Sequence, residues 1–107
     1  SNPTWLNHYG ILNAVGLNFN SIHITTKTQN LFNFKSVFSV LAKKKGTIVL
    51  LQDCAHNPTG VDPTVEQCKQ IAEVMKKRKL IPYFDSAYQG FGSDVDKDVW
   101  PIRYFAK

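Results

Sequence analysis

A chain of 107 residues that is 43% hydrophobic and 20% charged has the make-up of one globular unit, not of a disordered segment. No signal-peptide pattern opens it, and no apolar run reaches the roughly 18 residues that crossing a bilayer needs, so no membrane partner is expected. The net charge of +5 raises the question of nucleic acid, but it sits largely in Lys43-Lys44-Lys45 and Lys76-Lys77-Arg78-Lys79, without interleaved aromatics. Both clusters fall where helices should end and cations complement the helix dipole, so they read as solvated helix ends and no nucleic-acid partner is expected.

In chain order, Ser1-Asn2-Pro3-Thr4-Trp5 is an abrupt start, and residues 9–15 read as a short helix closed by Gly16. Ile22 and Ile24 alternate with His23 and Thr25, which predicts a strand. Phe34, Val37, Phe38 and Leu41 recur at helical spacing, with Gly46 expected to end that helix. Thr47-Ile48-Val49-Leu50-Leu51 is a continuous β-rich run, the pattern of a strand buried on both faces.

An Asn-Pro-Thr-Gly loop follows. Asp62 before Pro63 then predicts an N-cap with proline at the first helical position, and Val65, Cys68, Ile71, Ala72 and Met75 make one apolar face. Leu80-Ile81-Pro82-Tyr83-Phe84 is the next strand, ending at Asp85, although Pro82 removes a ladder N–H. Residues 86–93 read as a loop, and a last helix is expected near Asp98 with Pro101 in its first turn. Tyr104-Phe105-Ala106-Lys107 breaks off within a helix-like pattern, so the expectation is a segment of a longer chain. Cys54 and Cys68 are too few for a disulfide scaffold and lack a CxxC spacing, which points to reduced thiols.

Strands alternating with helices predict an α/β fold with a parallel sheet, in which ligands gather beyond the carboxyl ends of the strands. Asn57 lies just past one predicted strand end and Asp85 at another, so the two are placed to face one crevice. Taken singly, each candidate has an ordinary reading. Asp85 can cap a loop, Tyr88 can fill a core, Asn57 before Pro58 can be turn chemistry, and Trp5 and His8 can be packing residues.

Together they form a pattern. Asn2-Pro3-Thr4-Trp5-x-Asn7-His8, then Cys54-Ala55-His56-Asn57-Pro58-Thr59-Gly60-Val61-Asp62-Pro63, then Phe84-Asp85-x-Ala87-Tyr88-Gln89-Gly90-Phe91 resemble the aspartate aminotransferases, in order and across the whole chain. These are fold-type-I enzymes that use pyridoxal 5'-phosphate. The resemblance implies that residues 1–107 are part of the mainly parallel-sheet large domain that binds the cofactor. It implies that Asp85 pairs with the pyridine nitrogen, that Tyr88 and Asn57 hydrogen-bond the phenolic oxygen, and that Trp5 stacks on the ring. Asn57 and Trp5 would also meet the substrate, and His8 would stand behind Asp85 to fix its carboxylate. The bonds Asn2-Pro3 and Asn57-Pro58 would be cis, the second aiming the Asn57 amide at the cofactor.

The same resemblance shows what the segment lacks. The Schiff-base lysine in its Ser-x-x-Lys context, the glycine-rich phosphate-binding helix start and the arginines for substrate carboxylates match nothing here, so no catalytic residue is assigned and the segment alone should be inactive. Leu6 stands where relatives often have proline and Cys68 where they often have tryptophan. The implied parent reaction moves an amino group between L-aspartate and 2-oxoglutarate in a homodimer, in the cytoplasm or alternatively the mitochondrial matrix. An aromatic-amino-acid aminotransferase segment and a catalytically silent interaction module are the alternatives, with a basic nucleic-acid-binding domain a distant third.

Overall fold

The computed structural model describes residues 2–26 and 31–107. Its elements are α1 (Asn7–Ala14), α2 (Phe34–Lys43), β1 (Ile48–Gln52), α3 (Val65–Arg78), β2 (Ile81–Asp85), α4 (Val95–Asp98) and α5 (Trp100–Phe105). β1 and β2 pair in parallel, with Ile48 opposite Ile81 and Gln52 opposite Asp85. α3 is the crossover between them, as a parallel pair requires. This small α/β unit agrees with the expected fold class.

The core lies between the helices and the sheet. Ile24, Val37, Leu41, Ile71, Val74, Met75 and Leu80 form one buried cluster, and α2 and α3 pack on each other through it. α3 buries Cys68, Ile71, Val74 and Met75, whose three- and four-residue spacings put them on one face. The helix ends on Lys79, which turns through the left-handed region (φ +54°), and the Leu80 N–H then donates to the Met75 carbonyl. That closure is the Schellman type, and it drops Leu80 into the core directly ahead of β2. The lysine clusters end up as expected in part, with Lys43 in the last turn of α2 and Lys76, Lys77 and Arg78 in the last turn of α3.

Several expectations are corrected. The strand over residues 22–25 is absent, and only the isolated bridges Asn2–His23 and Thr25–Phe32 form. Asn2 offers one N–H to the Ile22 carbonyl and accepts from the Ile24 N–H, so the pairing spans a single residue of the N-terminal segment. Gly46 does not end α2. Lys44 already leaves the helix in an extended conformation, and the Gly46 N–H instead donates to the Arg78 carbonyl. β1 is half-buried, not buried on both faces, and Ile48 is exposed, because only two strands pair among the described residues.

Asp62 is not the N-cap of α3. Thr64 is, in a capping box in which its hydroxyl accepts from the Gln67 N–H while the Gln67 side chain accepts from the Thr64 N–H. Asp62 is spent elsewhere, as described below. Val65 consequently faces outward, whereas Val74, absent from the expected face, is buried. Asp98 ends α4 instead of opening the last helix, and Pro101 does sit in the first turn of α5.

Pro82 is accommodated by strand parity. The Ile81 N–H donates to the Thr47 carbonyl and the Asp85 carbonyl accepts from the Asp53 N–H, so residues 81, 83 and 85 turn their backbone groups toward β1. The nitrogen of Pro82 therefore points to the opposite edge, where no ladder bond is lost.

Met75 is 1% exposed at the centre of the cluster. Met75→Ala is expected to cost about 2–5 kcal/mol, read as a fall in the denaturant midpoint, whereas Val65→Ala on the outward face should stay within about 0.5 kcal/mol.

Candidate functional site

The carboxyl ends of two parallel strands place Gln52 and Asp85 side by side, and the chain leaves each strand into a loop. After β2 the loop carries Ala87 and Tyr88; after β1 it carries Cys54 and Asn57. Trp5, immediately ahead of α1, closes the third side. These residues line one cleft of about 130 Å³. The structure thus brings together Trp5, Asn57, Asp85 and Tyr88, with His8 behind them.

Asp85 is the most constrained member. Its Oδ2 accepts from Nε2 of His8 at 2.7 Å, and Nδ1 of the same ring meets the Thr4 hydroxyl at 2.8 Å. A carboxylate only accepts, so Nε2 carries the proton, and in the neutral ring Nδ1 accepts from Thr4. Thr4 and His8 are both buried, one helical turn apart, which fixes the imidazole plane. Trp5 lies edge-on to that ring, with centroids 5.4 Å apart, and is itself 43% exposed toward the cleft. No second hydrogen bond reaches the Asp85 carboxylate from the described residues, so Oδ1 is left for the cleft.

On the facing side, Nδ2 of Asn57 donates to the Tyr88 hydroxyl at 3.2 Å. The peptide bonds Asn2-Pro3 and Asn57-Pro58 are both cis. The turn ahead of Asn57 passes through Ala55 in the left-handed region (φ +46°). Asp62 holds it by accepting from the Ala55 N–H at 2.7 Å and the His56 N–H at 3.0 Å. His56 packs inside the loop with Nδ1 on the Thr59 hydroxyl, and burial pushes its pKa down.

Three supporting residues were not singled out from sequence. Thr4 lies inside the quoted N-terminal motif, so its spacing of four from His8 was a usable signal. Gln52 and Asp53 gave none, because each reads as the polar end of a strand. Asp53 is buried, and its Oδ1 accepts from the Cys54 N–H while Oδ2 accepts from the Ser86 hydroxyl at 2.5 Å, tying the two loops together. The Cys54 thiol donates to the Tyr88 carbonyl. Burial first, then Asp53 and Asp98, push its pKa up to about 12, while burial pushes Cys68 up to about 11. Both cysteines are free, so in this structure they pack and do not ionise at neutral pH.

A second acidic cradle shapes the loop after Tyr88. Asp98 accepts from the N–H groups of Gly90 and Gly92 through Oδ2 and of Ser93 through Oδ1, all at 2.8–2.9 Å. A side chain at Gly92 would meet Asp98 Oδ1 at 2.9 Å, so this close wrap needs glycine. Among the described residues no group of three or more His, Cys, Asp or Glu is arranged to hold a metal, and no helix is long and apolar enough to cross a membrane.

The pattern of the family described as aminotransferase class I and II matches residues 1–107. Aspartate aminotransferase 3, chloroplastic, of Arabidopsis thaliana is 47% identical over 105 residues, covering 96% of this chain and 23% of that protein. The mitochondrial aspartate aminotransferase of Gallus gallus is 43% identical, covering 96% and 25% respectively. Among solved structures, the aromatic-amino-acid aminotransferase of Burkholderia pseudomallei, covalently bound to pyridoxal phosphate, superposes with a TM-score of 0.95 at 39% identity. That match covers 98% of this chain and 27% of the other. The chain therefore spans about a quarter of the length of the curated relatives it matches.

Burial pushes the Asp98 carboxyl up, but the N–H groups of Gly92, Gly90 and Ser93 outweigh it and hold the pKa below the usual carboxylate range. A depressed folded pKa contributes stability above the unfolded value and loses it as pH falls through the folded one. Amide protection at Gly90, Gly92 and Ser93, followed by hydrogen exchange, is expected to persist through the ordinary carboxylate range near about pH 4 and to fall only at lower pH. Asp98→Asn should remove that pH dependence; protection that persists unchanged to the acid limit would count against it.

Proposed function

The chain belongs to the class I and II aminotransferases, and from that premise we propose that residues 1–107 are part of the cofactor-binding large domain of an aspartate aminotransferase. The cofactor proposed is pyridoxal 5'-phosphate. The observation that carries the reading is the convergence, in one cleft, of an aromatic face, a carboxylate with one oxygen to spare and an amide–hydroxyl pair.

That donor set fits the ring of the cofactor. Trp5 would lie against its flat face, and Asp85 Oδ1 would accept from a protonated pyridine nitrogen. Asn57 Nδ2 and the Tyr88 hydroxyl would serve its phenolic oxygen, and Asn57 and Trp5 would also meet the substrate. His8 acts from behind, spending its Nε2–H on Oδ2 so that the carboxylate keeps one orientation. When bound, the cofactor supplies the electron sink that lets an amino acid shed its Cα proton. The residues described here stabilise the cationic ring and orient it. No catalytic residue is proposed within residues 1–107, and the chain alone is proposed to be inactive.

The parent reaction proposed is amino transfer between L-aspartate and 2-oxoglutarate, in a homodimer without membrane or nucleic-acid partner. The cytoplasm is the compartment proposed, with the mitochondrial matrix as the alternative. Relatives carry both chloroplastic and mitochondrial names. A preference for aromatic amino acids is the second reading, favoured by the match to the Burkholderia enzyme.

The test is Asp85→Asn in the full-length parent protein. Removing one partner of a buried charge pair costs about 3–5 kcal/mol, so amino transfer from aspartate should fall on the order of 100- to 1,000-fold or more. An unchanged rate would sink the assignment of Asp85. Comparing kcat/KM for aspartate and phenylalanine in the wild-type protein decides between the two substrate readings.

A further inference from the structure

Gln52 is the last residue of β1, and its side chain enters the cleft wall. Its two amide atoms serve one residue. Oε1 accepts from the Asn57 N–H at 2.6 Å, and Nε2 donates to the Asn57 carbonyl at 3.4 Å. The side-chain amide thus pairs with the backbone of Asn57 as a neighbouring strand would, five residues beyond the end of its own strand. Among the described residues nothing else bonds the Asn57 N–H or carbonyl, whereas the rest of the turn has separate anchors. Asp62 holds Ala55 and His56, and the Gly60 N–H donates to the His56 carbonyl.

Gln52 is therefore the local support of one residue, not of the loop. We infer that Gln52 is a positioning residue that sets the direction of the Asn57 side chain across the cleft by clamping both polar groups of its backbone. The inference rests on the reading above only in that Asn57 is given a ligand to meet. The clamp itself is a matter of geometry. With the backbone clamped, Nδ2 of Asn57 stays within 3.2 Å of the Tyr88 hydroxyl, so two donors present together. Released, the amide would lose that fixed placement, and a donor misplaced by as little as about 1 Å contributes much less.

The experiment uses the full-length parent protein with Gln52→Met, Gln52→Glu, Asn57→Ala and the double variant Gln52→Met/Asn57→Ala. In the protein without cofactor, hydrogen exchange at the Asn57 N–H should run about tenfold faster in Gln52→Met, with Ala55, His56 and Gly60 unchanged. Gln52→Glu keeps the accepting oxygen and should retain most of the protection. With pyridoxal phosphate bound, the pH midpoint of its visible absorbance should rise by about half a unit in Gln52→Met, because a donor to the phenolic oxygen favours the ionised form.

That rise should vanish when Gln52→Met is made on Asn57→Ala, since the clamp acts only through the Asn57 side chain. Unchanged Asn57 exchange in Gln52→Met overturns the inference, as does an equal spectral shift with and without the Asn57 amide. A wild-type spectrum indifferent to Asn57→Ala would instead strike at the role given to Asn57 in the proposed function, and the exchange comparison would still decide the clamp.

Discussion

The bond between His8 and Asp85 holds the site together. It joins two parts of the chain 77 residues apart and ties the N-terminal segment to the end of β2, while Asn2 pairs the same segment with the residues around His23. A half-buried carboxylate at a strand end is costly unless something answers its charge or its lone pairs. His8 answers one oxygen, and Thr4 holds the ring that does so. Trp5 lies between Thr4 and His8 in sequence, so the same bond that orients Asp85 also hangs the indole over the cleft. One interaction fixes the acid and the aromatic face together.

The sheet supplies the second constraint. Parallel pairing with Gln52 opposite Asp85 sends both chains out of the sheet at the same end. The loops therefore begin side by side, and short polar contacts suffice to join them. Asp53 takes the Ser86 hydroxyl, the Asp53 N–H reaches the Asp85 carbonyl, and Cys54 reaches the Tyr88 carbonyl. An antiparallel pair would have sent the two loops to opposite ends, and no cleft could form between them.

Much of this was legible in the sequence because it rests on local rules. Hydrophobic spacing located α2 and α3, the β-rich run located β1, and a turn rich in proline and glycine marked the loop that follows. The motifs around Asn57 and Asp85 picked out residues that the structure brings to one cleft. What was misread depends on where polar side chains spend their hydrogen bonds. Asp62 and Thr64 are both good caps two residues apart, and sequence does not say which one faces the helix N-terminus. The structure assigns Thr64 to α3 because Asp62 is already satisfied by the turn at Ala55, whose left-handed backbone aims two N–H groups at it. Asp98 misled in the same way, reading as a helix start when its carboxylate faces back to wrap the preceding loop. The burial of β1 was overestimated for a different reason, since a continuous apolar run encodes the capacity to be covered and not the presence of a cover.

The aspartates themselves show how a scaffold acid differs from a site acid. Asp53, Asp62 and Asp98 each spend both carboxylate oxygens on N–H or hydroxyl donors of nearby loops. Each could be read as structural from that fact alone. Asp85 spends one oxygen on His8 and keeps the other toward a cleft lined by Trp5, Asn57 and Tyr88. Folding the chain requires the first arrangement, because satisfied carboxylates hold turns in shape. It does not require the second, in which a partly buried acid is held rigidly with an acceptor unspent. An acceptor left unspent can take a cationic donor, and its rigid support means that little reorganisation would accompany binding.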